Sequence, residues 1–319
     1  MSPNAGPNGL KVFSGTSNPE LAKKICESMK VPLGDMMVSR FSEGEIRIKI
    51  NEDVRGRDIF IVQPTCPPVN DNVIELLIMI DAFRRASARR ITAVLPYYGY
   101  ARQDRKDQPR VPITAKLMAN IITVAGADRV LTMDLHAQQI QGFFDIPVDH
   151  LYAYPVIAGY IRKKDLKNLT IVSPDVGGIK TARAYAKGLG ADLAIVDKRR
   201  SGPNEVEAMN LIGEVKGRTV LIPDDMISTG GSMVEAVNAL VKFGAGDIYA
   251  CATHGILSGK AVENLGKSAL KEIVVTDTIP IPSEKKIDKI TILPVAPLLG
   301  EAIMRIHNEE SITSLFNDL

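Results

Sequence analysis

Short apolar runs alternate with stretches of helical periodicity along most of the chain, and this alternation limits the folds that the sequence can adopt. The runs span residues 59–62, 91–95, 129–133, 169–173, 193–196, 219–222 and 248–252. Between several of them, residues 72–88, 114–125 and 231–243 carry apolar side chains at helical spacing. Because short β-rich runs that alternate with helices are typical of parallel sheets, the pattern predicts an α/β fold, with a mainly parallel sheet flanked by helices.

One series of elements occurs twice. Residues 56–95 and 217–252 each begin with Gly-Arg and continue with a strand, a loop, a helix and a second strand. A chain of 319 residues is long enough for about two domains of ordinary size. We therefore predict two tandem copies of one α/β domain, residues 1–150 and 151–319, joined within 149–158, and we expect the extreme C-terminal segment to pack on the first domain.

The composition limits the class of protein. Hydrophobic residues make up 45%, charged residues 24% and the formal net charge is +2, which is typical of a globular protein that does not coat nucleic acid. The most apolar stretch, residues 73–83, contains Glu75 and Asp81, and no stretch reaches the ~18 apolar residues that a membrane span needs. The three cysteines fit neither a metal site nor a disulfide framework, and the polar residues 1–9 do not resemble a signal peptide. We expect a cytoplasmic protein without nucleic-acid or membrane partners.

The segment from residue 221 to residue 243 predicts a phosphate-binding site. A strand ends in two acids, and a Thr-Gly-Gly-Ser sequence then leads into an amphipathic helix. Glycines let the backbone approach a ligand closely, and the free N–H groups of a helix start attract a phosphate. Ionised carboxylates accept hydrogen bonds from the vicinal hydroxyls of a sugar. The predicted ligand is ribose 5-phosphate, and its predicted contacts are Asp224, Asp225, Ser228, Thr229, Gly230, Gly231 and Ser232.

The alternative is an ordinary acid-rich turn with a glycine-containing helix cap, although this does not account for the strand, the acid pair and the Thr-Gly-Gly-Ser sequence together. The corresponding loop of the first copy, residues 63–71, has neither adjacent acids nor a glycine pair. If the repeat is real, only the second copy kept a ligand loop, and the site is asymmetric.

The loop at 224–232 resembles the phosphoribosyl-binding motif of type I phosphoribosyltransferases, and other segments indicate a narrower family. Residues 134–149, Asp-Leu-His-Ala-Gln-Gln-Ile-Gln-Gly-Phe-Phe-Asp-Ile-Pro-Val-Asp, resemble the long signature of ribose-phosphate pyrophosphokinases. Further matches lie at 40–45, 99–104 and 308–312, and the resemblance covers residues 10–319. It implies two phosphoribosyltransferase-like domains and transfer of the diphosphoryl group of ATP to the 1-hydroxyl of ribose 5-phosphate, with Mg²⁺ as cofactor. The products would be 5-phosphoribosyl 1-diphosphate, for nucleotide biosynthesis, and AMP.

The same resemblance assigns contacts to ATP and to the metal. The implied ATP contacts are Phe41, Glu43, Gly44, Glu45, Arg102, Gln103 and His136. Those at 41–45 would bind the adenine end, from a neighbouring subunit, because an aromatic ring stacks on a base and a carboxylate accepts from its amino group. His136 and Asp175 are the implied contacts to Mg²⁺.

The implied catalytic residues are Lys198 and Arg200, in a loop over 197–204 that would close on ATP. Two positions depart from the family pattern, since many relatives carry Asp in place of Glu43 and an acid in place of Ser228. Two further acids of the signature, Asp145 and Asp149, fit either a role at the site or a solvated surface.

The resemblance also implies an assembly and its regulation. It implies a homohexamer that is activated by phosphate and inhibited by ADP at an interface, near Arg47 and the tail at 311–313. One rival is a base phosphoribosyltransferase, which would consume the same product and would need neither the 134–149 signature nor the cationic loop. Another is a non-catalytic regulatory homologue, which would be expected to lack the loop cations, His136 or the acid pair.

Overall fold

The structure is a computed structural model that describes residues 9–199 and 208–316. It divides into two compact units. The first comprises the chain up to Tyr152 together with Thr278–Pro280 and Val295–Leu315, and the second comprises Ala153–Asp277 and Ile281–Pro294. No helix in these described ranges combines the length and the apolar character that crossing a membrane requires.

The first unit is built on a five-stranded parallel sheet with the strand order β1-β4-β5-β6-β7. Its elements are β1 (Leu10–Ser14), α1 (Pro19–Met29), β2 (Met36–Arg40), β3 (Ile46–Ile50), β4 (Asp58–Val62), α2 (Val69–Arg85), β5 (Arg90–Leu95), α3 (Thr114–Ala125), β6 (Arg129–Met133), β7 (Val148–Leu151) and, from the C-terminal segment, α8 (Ala296–His307). Every residue of β4 is buried, as expected for a parallel strand that is covered on both faces. The rings of Phe13 and Phe83, 4.6 Å apart, join β1 to α2 in the core.

Two smaller features complete the first unit. Strands β2 and β3 form a separate antiparallel hairpin, and Met36, Ile48 and Ile50 pack against the core. Helix α8 is held to the sheet by buried polar groups, since His307 Nδ1 lies 2.7 Å from a carboxylate oxygen of Asp58. Arg90 pairs with the same carboxylate, so this cluster fixes the C-terminal helix to the strand edge.

The second unit is built on a seven-stranded sheet with the order β10-β9-β8-β11-β12-β13-β14. Its elements are α4 (Tyr154–Lys163), β8 (Leu169–Ser173), α5 (Ile179–Leu189), β9 (Asp192–Arg199), β10 (Ala208–Ile212), β11 (Thr219–Ile227), α6 (Gly231–Lys242), β12 (Ile248–Gly255), α7 (Ala261–Lys267), β13 (Leu270–Thr276) and β14 (Ile290–Leu293). Only the β9–β10 pair is antiparallel among the paired strands described. The predicted fold class, two α/β halves with mainly parallel sheets, is therefore confirmed.

The prediction for the end of β11 is wrong in one respect. The loop was expected at 224–232, but the strand continues through Pro223 and the acid pair to Ile227. Strand β8 pairs with β11 only as far as Leu221, so the rest of the strand has β12 as its described partner. Because a proline is tolerated where one side of a strand is unpaired, Pro223 does not end the strand. The acids consequently lie on a strand, and the loop itself is short.

Candidate active site

The acid pair of the second unit lies at the carboxyl end of β11. Asp224 and Asp225 are half-buried, and the backbone N–H of Asp225 donates to Asp224 Oδ1 at 2.9 Å. Burial raises the pKa of Asp224 to about 8, and the negative charges of Asp225 and Asp175 add to the effect. Since repulsion between carboxylates disfavours ionisation, hydroxyl donors or a cation at this position stabilise the charged form.

Asp175 lies between β8 and α5, in the same unit. Its carboxylate accepts from the N–H of Gly178 at 2.9 Å, and its carbonyl accepts from the hydroxyl of Ser173 at 2.6 Å. Its charge acts on Asp224, so the fold brings Asp175 towards the acid pair, about 50 residues further along the chain. The sequence motif alone does not reveal this proximity.

These carboxylates suit Mg²⁺ in donor type, because the ion prefers hard oxygen ligands. No group of three or more His, Cys, Asp or Glu side chains in the described ranges is arranged to hold a metal ion. Mg²⁺ commonly keeps several waters and binds through one or two carboxylates plus substrate phosphates. The acids around Asp224 therefore fit a metal that arrives with a phosphate ligand.

The phosphate loop follows directly, at residues 228–230. Gly230 has φ +73° and is buried, and a Cβ atom there would lie 3.2 Å from the side chain of Leu265. Helix α6 begins at Gly231 without a side-chain cap among the described residues, and Thr229 and Ser232 are exposed beside its start. The first N–H groups of a helix form a ready anion site, and the start of α6 offers such groups directly after the glycine turn.

Ser228 is held by a residue that the sequence analysis missed. The two hydroxyl oxygens of Ser228 and Ser258 are 3.1 Å apart, and the N–H of Ser258 donates to the carbonyl of Ser228 at 2.9 Å. The N–H of Leu257 likewise donates to Ile227. Ser258 is 30 positions away and follows an unremarkable strand, so no sequence signal marks it.

In the first unit, residues 41–45 form the turn of the β2–β3 hairpin. The Phe41 side chain is 45% exposed, and the Arg47 guanidinium lies 5.5 Å from its ring centroid. The N–H of Phe41 donates to the backbone carbonyl of Glu45 at 2.9 Å, and Gly44 has φ +96°. A hydrogen bond from the hydroxyl of Ser42 lowers the pKa of Glu43. The turn thus presents an exposed aromatic face beside acidic groups.

The other predicted ATP contacts of this unit follow neighbouring strands. Arg102 and Gln103 are exposed after β5, and His136 is exposed after β6. The N–H of Gln103 donates to the carbonyl of Tyr100 at 2.9 Å, and its carbonyl accepts from Ala115 at 3.1 Å. Strands β5 and β6 are parallel neighbours, so these side chains follow one edge of the sheet.

In the first unit, the loop that follows β4 is surrounded by hydrogen bonds between polar side chains of the same unit. Glu75 accepts from the hydroxyl of Thr16 at 2.7 Å and from the amide of Gln63 at 3.0 Å. Gln63 accepts in turn from the hydroxyl of Ser17 at 2.6 Å. Both Gln63 and Glu75 are buried, so the corresponding loops of the two units differ in structure as well as in sequence.

The remaining predicted residues are the two implied catalytic cations and the two further acids of the signature. Lys198 is on β9, where its backbone is in register with Met209, while Arg200 lies outside the described residues. Asp149 pairs with Arg129 at 2.6 Å, and Asp145 lies 3.8 Å from the ammonium of Lys116. These two acids thus have cationic partners within their own unit.

Comparisons with known proteins indicate one family. A model described as the N-terminal domain of ribose phosphate pyrophosphokinase matches residues 10–126, and one described as the phosphoribosyl synthetase-associated domain matches residues 198–317. The chain is 57% identical over 310 residues to a ribose-phosphate pyrophosphokinase from Caldanaerobacter subterraneus subsp. tengcongensis, covering 97% of this chain and 98% of that one. It is 53% identical to one from Bacillus subtilis, covering 99% and 100%. The crystal structure of phosphoribosylpyrophosphate synthetase from Mycobacterium smegmatis superposes with a TM-score of 0.90 at 42% identity, covering 95% of this chain and all of that one.

Proposed function

Because the chain belongs to the ribose-phosphate pyrophosphokinase family, we propose that it transfers the β,γ-diphosphoryl group of ATP to the 1-hydroxyl of ribose 5-phosphate. The products are 5-phosphoribosyl 1-diphosphate and AMP. The observation that carries this proposal is the acid pair Asp224 and Asp225 on β11, which a short loop joins to a helix start that has no side-chain cap among the described residues. One arrangement of side chains and backbone thus suits both the diol and the phosphate of the sugar.

In the proposed complex, the two carboxylates accept hydrogen bonds from the 2- and 3-hydroxyls of ribose 5-phosphate. The N–H groups at the start of α6, with the hydroxyls of Ser228, Thr229 and Ser232, bind the 5-phosphate. This leaves the 1-hydroxyl free to attack the β-phosphorus of ATP, with AMP as the leaving group. Fixing the attacking oxygen in this way removes much of the entropic barrier.

Phosphoryl transfer needs alignment and charge neutralisation more than covalent help from the protein. We propose that Lys198 and Arg200 stabilise the charge that develops on the transferred group. Bound Mg²⁺ would neutralise phosphate charge, with His136 and Asp175 as its proposed protein contacts. The raised pKa of Asp224 supports a cation near these acids, because a positive charge lowers that pKa again.

The first unit supplies the proposed ATP contacts. Phe41 is exposed enough to stack on adenine, and Glu43 and Glu45 lie in the same turn. Arg102 and Gln103 would contact the nucleotide from the edge of the sheet. We propose that the turn at 41–45 serves the nucleotide of a neighbouring subunit, as the family resemblance implies.

An exposed apolar face supports a homo-oligomer, for which we propose a hexamer. Leu117 and Val124 lie seven residues apart on one face of α3, and their side chains are 52% and 78% exposed. Apolar side chains this exposed on one helix face are suited to burial against another subunit. Phosphate and ADP are the proposed effectors, near Arg47 and residues 311–313. Light scattering of the purified protein would measure the oligomeric state directly.

The test is a product analysis. The protein is mixed with ATP, ribose 5-phosphate, Mg²⁺ and phosphate, and the nucleotides are separated by ion-pair chromatography. We expect AMP to appear in step with phosphoribosyl diphosphate, and Lys198→Ala to lower both rates by ~10²–10³. Formation of ADP, or of no nucleotide product, would refute the proposal and favour a base phosphoribosyltransferase or a regulatory homologue.

A further inference from the structure

The first turn of α2 is linked by hydrogen bonds to both ATP-binding segments that we propose in the first unit. These segments are the adenine turn, residues 41–45, and the ATP segment, residues 99–103. Asn70 contacts Tyr100 of the ATP segment directly, and its neighbour Asp71 is linked to the adenine turn through Arg40. Successive side chains on a helix point about 100° apart, so two adjacent residues can contact two separate segments. We call this pair the α2 bracket.

Asp71 holds the adenine turn through Arg40. The guanidinium of Arg40 donates from Nη2 to Asp71 Oδ2 at 3.1 Å and from Nη1 to the carbonyl of Gly44 at 3.0 Å. One side chain therefore closes the turn and ties it to the helix. Both partners are about half exposed, at 49% and 53%, so the contact lies at the surface beside the turn.

Asn70 holds the ATP segment through Tyr100. The hydroxyl of Tyr100 donates to Asn70 Oδ1, and the carbonyl of Tyr100 accepts from the N–H of Gln103 at 2.9 Å. Tyr100 has φ +61°, a left-handed conformation that is uncommon for a bulky residue. Its backbone and its side chain thus both shape the turn that carries Arg102 and Gln103.

The bracket is attached to a buried part of the helix. The next residue, Asn72, is 4% exposed and donates to the carbonyl of Cys66 at 2.7 Å, and Glu75 one turn later is 3% exposed. The first turn of α2 is therefore a fixed reference point from which both segments are held.

We propose that Asn70 and Asp71 are positioning residues that set the adenine turn and the ATP segment at a fixed separation. The inference rests on the proposed function, which makes both segments contacts to ATP. Since the adenine turn serves a neighbouring subunit's nucleotide in that proposal, the bracket joins two nucleotide sites through one helix turn. Neither residue touches ATP itself. Losing the bracket should weaken nucleotide binding and leave the sugar site unchanged.

The test compares Asp71→Ala and Tyr100→Phe with a matched control, Asp81→Ala. Asp81 forms an exposed ion pair with Arg85 at 2.7 Å on the same helix, away from both segments. We expect Asp71→Ala and Tyr100→Phe each to raise the KM for ATP about two- to fivefold, the range that a surface contact supports. The kcat, the KM for ribose 5-phosphate and the Tm should match those of the control. Titration calorimetry with α,β-methylene ATP should show the same loss of affinity.

A second comparison tests the pairing. Tyr100→Phe should add no further change in an Asn70→Ala background, because both substitutions remove one hydrogen bond. The bracket is refuted if Asp71→Ala and Tyr100→Phe bind the analogue as tightly as Asp81→Ala does. It is also refuted if kcat, Tm and both KM values change together, which indicates a purely structural role.

Variants of the proposed contacts separate this inference from the proposed function. If Phe41→Ala and Arg102→Ala weaken binding of the analogue while the bracket variants do not, the bracket alone is wrong. If none of the four variants weakens binding, the assignment of the ATP contacts fails, and the bracket fails with it. If AMP formation fails but the bracket variants still weaken binding, the bracket stands and the reaction is wrong.

Discussion

Replacing Asp224 by asparagine should stabilise the ligand-free protein, and the gain should grow as the pH rises from 5 to 8. Burial and two neighbouring carboxylates raise the pKa of Asp224 from the ordinary 3.8 to about 8. Between these two values the unfolded chain has released a proton that the folded chain still binds. The free energy of unfolding therefore falls as the pH rises through this window. Asparagine has a similar shape and no proton to release.

The size of the effect follows from the difference between the two pKa values. A shift from 3.8 to about 8 spans about four pH units, and at about 1.4 kcal/mol per unit it has an upper limit near 6 kcal/mol. Asp224 is half-buried, so solvent screening reduces the gain at pH 8 to the order of 2 kcal/mol. For a unit of this size, that corresponds to a Tm increase of about 4–8 °C. At pH 5 most of the gain should be absent.

The assay is thermal unfolding of wild type and Asp224→Asn at pH 5, 6, 7 and 8, without nucleotide, sugar phosphate or divalent cation. Asp288→Asn is the control, since Asp288 is an exposed acid of the same unit. A stability gain that is equal at pH 5 and pH 8, or is matched by the control, would contradict the assigned protonation of Asp224. Formation of AMP should fall in the same variant, because the amide is a poorer acceptor for the sugar hydroxyls.

Three further substitutions test the loops. Gly230→Ala should lower the free energy of unfolding by about 1–2 kcal/mol and raise the KM for ribose 5-phosphate, because φ is +73° and a Cβ would lie 3.2 Å from a side-chain carbon of α7. An unchanged Tm with unchanged kinetics would contradict this. Ser258→Ala should raise the KM for ribose 5-phosphate about two- to fivefold in steady-state assays, and it should have no further effect in a Ser228→Ala background. Additive effects would show that the two hydroxyls act separately. Gly99→Ala should lower the Tm and weaken ATP binding, because a Cβ would lie 2.5 Å from the carbonyl oxygen of Thr65. A Tm equal to that of the wild type would show that the backbone around residue 99 relaxes.

Local sequence patterns were sufficient for the fold class and for most element positions. Helix α3 and strands β6 and β8 have the bounds expected from their apolar spacing. Helix α2 begins three residues before its predicted start, at Val69, directly after two prolines. The larger difference between the predicted and observed bounds is at the end of β11, because β12 continues to pair with β11 past Pro223. Local sequence does not reveal which strands pair.

The candidate site was only partly predictable. The acid pair and the glycine loop are contiguous, so their chemistry could be inferred from spacing. The contact of Ser258 and those of Asn70 and Asp71 could not be predicted from the sequence, because each depends on a partner 30 or 31 residues away in the chain. The roles of Lys198 and Arg200 stay predictions, since their side chains are outside the part of the chain that the structure describes.

The sequence by itself determined the two α/β halves and the family, because periodicity and short motifs depend on residues that are neighbours in the chain. Only the tertiary structure revealed the burial that raises the pKa of Asp224, the proximity of Asp175 and the partner of Ser228. Burial and electrostatic interaction depend on distances in space, and these arise when parallel strands bring the ends of distant segments to one edge of a sheet.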